Sequence, residues 1–166
     1  IYSGHEHIPL MSLPGMRERC VKIGSAGKTF SLTGWKIGYI TAPENLMGVI
    51  AKAHQFITFT VPPAFQYAVA WGLGQDDAYY RHLAEDLERK RDLLSKGLAE
   101  AGFAVTPAEG TYFVTTDIRS LGYDGSDLDF CRELTTRTKV AAIPISAFYA
   151  PGSPNVPQTL IRFCFC

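Results

Sequence analysis

The sequence predicts an α/β first part followed by an α+β second part, on three observations. Short apolar runs bounded by Gly and Pro alternate with helical stretches up to about residue 75. One long amphipathic stretch then runs from Asp76-Asp77 to Gly102. Beyond it, strand-like runs surround a single further helix. With 166 residues, 46% of them apolar, the chain is long enough to bury a core.

Each element has a local cause. Residues 20–24 carry Val21 and Ile23 and read as a short strand, which runs into the small-residue loop Gly24-Ser25-Ala26-Gly27 and then Lys28. Residues 35–41 read as a second apolar strand, stopped by Pro43. Pro43-Glu44 starts a helix to about His54, because proline is pre-set for a first helical turn. Pro62-Pro63 breaks the chain before an Ala-rich helix over 64–73, which ends at Gly72 and Gly74.

Asp76-Asp77 caps the longest helix, along which Tyr80, Leu83, Leu87, Leu94, Leu98 and Ala101 recur at helical spacings until Gly102. At ~1.5 Å per residue its roughly 25 residues extend about 37 Å, enough to bridge two domains. Glu85 with Arg89 and Asp86 with Lys90 read as ion pairs on its solvated face. Residues 103–105 and 111–115 read as strands around a turn at 107–110. Ser126 caps a helix to about Thr138, and residues 140–145 and 159–166 supply two more strands. The expected division is residues 1–75 and residues 76–166, with the junction at 72–77 or along the long helix.

Lys plus Arg number 16 and Asp plus Glu 16, so no global basic field exists to hold a nucleic acid or an anionic membrane. The longest mostly apolar run, 140–150, is broken by Pro144 and falls short of the ~20 residues of a membrane span. Cys20, Cys131, Cys164 and Cys166 are too few and too scattered for a secreted disulfide scaffold, and no signal segment opens the chain; the expectation is a reducing, cytoplasmic setting. Cys164 and Cys166 share one face of a strand, and His5 and His7 have the same spacing. Neither pair has the further ligands of a tetrahedral site, so no metal is expected. Residue 1 is Ile, and the alternation at 160–166 breaks off within a strand, so both ends are expected to be cuts in a longer protein.

The segment around Lys28 invites comparison with a nucleotide phosphate loop, but that loop requires Gly at position 22, where Lys22 stands. What remains is a lysine on a turn of tiny residues, whose backbone N–H groups and Ser25 hydroxyl can approach an anion, with Lys36 adding positive charge eight residues on. An anion pocket beside a lysine amine suits an aldehyde cofactor bearing a phosphate: the amine condenses with the aldehyde while the phosphate anchors the ring, as in pyridoxal 5'-phosphate. A surface lysine in a polar loop is the other reading of Lys28. Lys36, between Trp35 and Ile37 in the predicted strand, requires a partner for its charge. Arg162 stands likewise among Leu160, Ile161, Phe163 and Phe165. Its guanidinium can grip a carboxylate with two parallel hydrogen bonds, or it can face outward from an amphipathic edge strand.

Residues 25–38, Ser25-Ala-Gly-Lys-Thr-Phe-Ser-Leu-Thr-Gly-Trp-Lys-Ile-Gly38, resemble the cofactor-lysine segment of the class I and II aminotransferases, pyridoxal phosphate enzymes of fold type I. Most of that superfamily has arginine where Gly34-Trp35-Lys36 ends; Lys36 is similar to the branch of kynurenine aminotransferase, glutamine transaminase K and the bacterial methionine aminotransferases. The likeness continues in family order through His54-Gln55, Gln66-Tyr-Ala68, Glu109-Gly-Thr-Tyr-Phe113, Ile143-Pro-Ile-Ser-Ala-Phe148 and Ile161-Arg-Phe-Cys-Phe165.

The resemblance implies that residues 1–75 are the C-terminal part of the large α/β cofactor domain, and residues 76–166 a connecting helix and small α+β domain. It implies that Lys28 bonds to the cofactor and moves the proton at the substrate Cα, and that Ser25 and Lys36 hold the phosphate. Arg162 would bind the α-carboxylate of an amino acid and a 2-oxo acid in turn. Phe59 would reach the neighbouring subunit's substrate pocket in a homodimer, and Tyr112 would line the pocket. Thr60 departs from the His that animal members often carry there, which bears on side-chain preference. Family chains are more than twice this length, and the aspartate that pairs with the pyridine nitrogen is not in this stretch, so these residues alone are not expected to transaminate. The implied reaction moves an amino group between an aromatic or sulfur-containing amino acid and a 2-oxo acid. A carbon–sulfur lyase of the same fold and a non-catalytic interaction subunit are the rival readings.

Overall fold

The computed structural model describes residues 1–166, which divide into two units: His7–Tyr79, and Ile1–Glu6 with Tyr80–Cys166. In the first, β1 (Lys22–Ser25) pairs antiparallel with β2 (Gly38–Thr41), Lys22 opposite Thr41 and Ser25 opposite Gly38. The segment between them is not an open loop. Ser25 caps one helical turn, α1 (Ala26–Thr29), its Oγ accepting from the Gly27 N–H at 3.3 Å, and a 3-10 turn follows at Thr33–Trp35. Trp35 and Lys36 therefore lie outside the strand predicted over 35–41. Lys36 takes left-handed backbone (φ 55°), which re-aims the chain into β2, and its side chain is exposed, so the strand-buried charge never arises. Gly38 is required in this hairpin, since a Cβ there would lie 2.9 Å from the Gly24 carbonyl oxygen.

After Pro43, α2 (Glu44–Ile57) runs past His54; α3 (Pro63–Leu73) follows, with proline in its first turn and Gly74 at its end. Ala26, Ile37 and Val69 form the buried centre of this unit, with Phe30, Leu32, Val61 and Phe65 packed around them. The Trp35 ring stacks on Phe65 at 4.5 Å.

The long helix α4 (Asp77–Glu100) is capped by Asp76, whose carboxylate accepts from the Tyr79 N–H at 3.1 Å, and is followed by Gly102 at φ 93°. Leu98 is buried, and Leu87 and Leu94 pack on the same core. On the outer face Asp86 takes both cations, Lys90 at 2.8 Å and Arg89 at 2.9 Å, so Arg89 joins Asp86 at i,i+3 rather than Glu85.

Four strands complete this unit: β3 (Ala104–Thr106), β4 (Phe113–Asp117), β5 (Ile143–Pro144) and β6 (Leu160–Cys164), antiparallel in the order β3-β4-β6-β5. β6 is thus an interior strand, with Arg162 opposite Thr115 on one side and Ile143 on the other. Ile161 and Phe163, with Phe165 beyond, turn into the core with Val114 and Ile118. Ser126 caps α5 (Asp127–Thr138), its Oγ accepting from the Asp129 N–H at 3.1 Å.

Of the strand predicted over 140–145 only β5 forms; a 3-10 turn at Ile145–Phe148 replaces the rest. The cause is Asp127. Fully buried, its carboxylate accepts from the Ser146 N–H and Oγ, both at 2.8 Å, and from the Leu128 N–H at 2.9 Å, bending the chain off the sheet. The N-terminus of α5 adds a favourable field, and Pro144 has no N–H to extend the ladder.

Thr116 is also fully buried, and its Oγ1 has no hydrogen-bond partner. Such a hydroxyl costs about 1–3 kcal/mol. Thr116→Val keeps the shape and is expected to raise stability by about 1 kcal/mol, read as a higher urea midpoint at unchanged m-value. A lower midpoint would show that the hydroxyl is paired.

Arg119 hydrogen-bonds the Asp117 carboxylate and holds its pKa down at about 2 against the usual 3.8, outweighing the burial that would raise it. Because the folded value is depressed, this stabilisation is complete above the ordinary carboxylate range and is lost as pH falls through about 2. A carbon-13 NMR titration should give that low midpoint, and Arg119→Ala should return it towards 3.8. An unmoved midpoint in the variant would remove Arg119 as the cause.

Candidate active site

Lys28 sits exposed on α1, whose Ala26 and Gly27 are buried. The Ala26 N–H donates to the Ile37 carbonyl at 3.1 Å, and the Leu32 N–H to the Gly27 carbonyl at 2.9 Å. Because Ile37 bonds to Ala26 and Gly38 pairs with Ser25, the hairpin brings the backbone of Lys36 to the end that carries Ser25 and Lys28. Ser31 (φ 53°) and Lys36 both take left-handed backbone in this segment, a sparsely populated conformation that clusters at binding sites. A hydroxyl and two amines on one hairpin fit a phosphate-bearing aldehyde: hydroxyl and ammonium suit the phosphate, and a primary amine suits the carbonyl. Phe59 follows the C-terminus of α2; it is 75% exposed, left-handed (φ 68°), and its N–H donates to the His54 carbonyl at 2.9 Å.

Arg162 and Tyr112 belong to the other unit. The Arg162 guanidinium lies between two aromatic rings, its Cζ 3.9 Å from the centre of Phe113 and 4.3 Å from that of Phe148. Its Nε is buried without a hydrogen-bond partner. A flat cation held by both faces keeps its donor edge for a ligand, and an unpaired buried N–H favours any acceptor that reaches it. The adjoining groove, about 400 Å³, is lined by Pro107, Glu109, Phe113, Thr115, Ile145 and Arg162 among others. Since β6 has a strand on each side, the outward-facing edge-strand reading of Arg162 falls.

Tyr112 packs against the core cluster, its ring centre 4.5 Å from that of Phe113. Phe113 and Phe148, the rings against Arg162, are not among the site residues that the sequence reading names. Phe113 could have been found by alternation: it stands two residues before Thr115, the cross-strand partner of Arg162, and so shares its face. Phe148 depends on the turn that Asp127 holds, for which the sequence offers no periodic signal.

Residues 4–166 match a family model described as aminotransferase class I and II. Over 99% of its length the chain is 40% identical to the kynurenine--oxoglutarate transaminase of Dictyostelium discoideum and 39% identical to the methionine aminotransferase of Escherichia coli, covering 42% of each. It superposes on the structure of N-succinyldiaminopimelate aminotransferase from Mycobacterium tuberculosis with a TM-score of 0.92 at 42% identity, covering 100% of this chain and 42% of that one. The chain therefore spans less than half the length of these relatives.

Proposed function

This chain belongs to the aminotransferase class I and II family, and from that premise we propose that the protein carrying it moves an amino group between an aromatic or sulfur-containing amino acid and a 2-oxo acid. The observation that supports this reading most is Arg162, with its unpaired buried Nε and its guanidinium between Phe113 and Phe148 beside the groove. Donor and acceptor of such a reaction share an α-carboxylate, so one fixed guanidinium serves both halves of a ping-pong exchange. Pyridoxal 5'-phosphate, the cofactor of this family, supplies when bound the electron-withdrawing ring that makes the substrate Cα–H acidic.

Lys28 presents the amine that holds the cofactor and, once released, carries the proton from and to Cα. Ser25 and Lys36 bind the phosphate. Phe113 and Phe148 fix the orientation of the planar guanidinium, and in the groove Phe113 and Ile145 offer apolar surface to an aromatic or thioether side chain. Relatives named for kynurenine and methionine are in keeping with that preference. Phe59, exposed here, meets a second copy on this reading, in a homodimer.

Treating the intact protein with pyridoxal phosphate and then borohydride should leave a stable pyridoxyl group on the peptide containing Lys28, and none there in Lys28→Ala. A label confined to another lysine, or no label, would overturn the assignment.

A further inference from the structure

The groove beside Arg162 is lined by an unbroken run, Thr106 to Thr111, which leaves the sheet after Thr106. Its shape is therefore imposed by other parts of the chain. Two residues take three of its carbonyls, and neither has a role in the chemistry proposed for the site. The Tyr2 N–H donates to the Glu109 carbonyl at 3.0 Å, and the Tyr2 hydroxyl donates to the Thr111 carbonyl. Arg91 donates from Nη1 to the Ala108 carbonyl at 2.9 Å, and its Cζ lies 4.5 Å from the centre of the Tyr2 ring.

We propose that Tyr2 is a positioning residue of the carboxylate groove: its hydroxyl holds Thr111 in the left-handed conformation that shapes the groove and aims Phe113 at Arg162. The proposal rests on the carboxylate-binding role of Arg162. Thr111 has φ 67°, a conformation that a β-branched residue keeps only when its surroundings over-determine it. Two residues later Phe113 opens β4, pairs with Cys164 and lays its ring 3.9 Å from the Arg162 Cζ. Released from Tyr2, Thr111 relaxes towards negative φ and redirects the chain just ahead of that ring. The guanidinium then loses one of the two faces that orient its donors.

The Tyr2 ring also belongs to the core: the residue is 3% exposed and its ring centre lies 6.5 Å from that of Phe165. Phenylalanine satisfies that packing equally well. Tyr2→Phe therefore separates the hydroxyl from the ring.

The test uses the intact protein with pyridoxal phosphate bound. 3-Phenylpropionate, which has no amine to react, is the carboxylate probe, and 3-phenylpropanamide is its neutral control. Calorimetry should show Tyr2→Phe weakening the acid by about 3- to 10-fold, the effect of one hydrogen bond, and leaving the amide unchanged. KM for phenylalanine should rise by the same factor, with kcat within about 2-fold. In a Thr111→Gly background the same Tyr2 change should cost less than about 2-fold, because glycine holds φ 67° without bias. An unchanged affinity in Tyr2→Phe, an equal loss for acid and amide, or the same loss in both backgrounds would overturn the proposal and leave the reading of Arg162 standing. An unsubstituted protein that neither binds the acid nor transaminates would overturn that reading, and this one with it.

Discussion

Replacing Lys28 with alanine is expected to lower kcat for amino-group transfer by about 10²–10⁴-fold, the usual contribution of a positioned general acid and base. The proton at Cα then has no amine to carry it, while Ser25, Lys36 and Arg162 still bind. Steady-state kinetics with saturating cofactor should show the loss in kcat, and a small primary amine added to the assay should restore part of it. Lys28 is exposed on its helical turn, so stability should stay within about 0.5 kcal/mol of the unsubstituted protein. Undiminished turnover would remove Lys28 from the chemistry. A variant that fails to fold would instead contradict the exposed position described for it.

Arg162→Ala carries the second largest effect. Two charge-assisted hydrogen bonds to the substrate carboxylate, each contributing about 1.5–3 kcal/mol, are lost together, so kcat/KM should fall by ~10²–10⁴-fold, chiefly through KM. Arg162→Lys should recover only part of the loss: it keeps the charge but neither the planar fork nor the fit between Phe113 and Phe148. The decisive comparison is with an amine of the same side chain that lacks the carboxylate. Its slow turnover should be the same in both proteins. An equal fall for both substrates would mean that Arg162 supports the fold and does not bind the carboxylate.

Much of the scaffold was legible because it is written in spacing. The stripe Leu87, Leu94 and Leu98 marks the inner face of α4, Ser126 marks the start of α5, and the alternation of Ile161 and Phe163 with Arg162 marks β6. What spacing does not encode is dihedral choice and strand order. Lys36 looks like a strand residue among apolar neighbours, yet a left-handed φ takes it out of the ladder. Residues 140–145 look like a strand until the Asp127 carboxylate captures Ser146. The candidate site divides the same way. Lys28 and Arg162 stand out as cations in unusual company, whereas the clamp around Arg162 needs a cross-strand register and a tertiary hydrogen bond.

The order β3-β4-β6-β5 has a consequence for synthesis on the ribosome. β4 and β5 both precede β6 in the chain, yet β6 lies between them. While residues 160–164 are still being made, each of those two strands lacks its shared neighbour, and the nascent polypeptide carries bare pairing edges that invite association with other chains. β6 thus joins the sheet from its middle, and a translational stall just ahead of it would leave a species suited to capture by a chaperone.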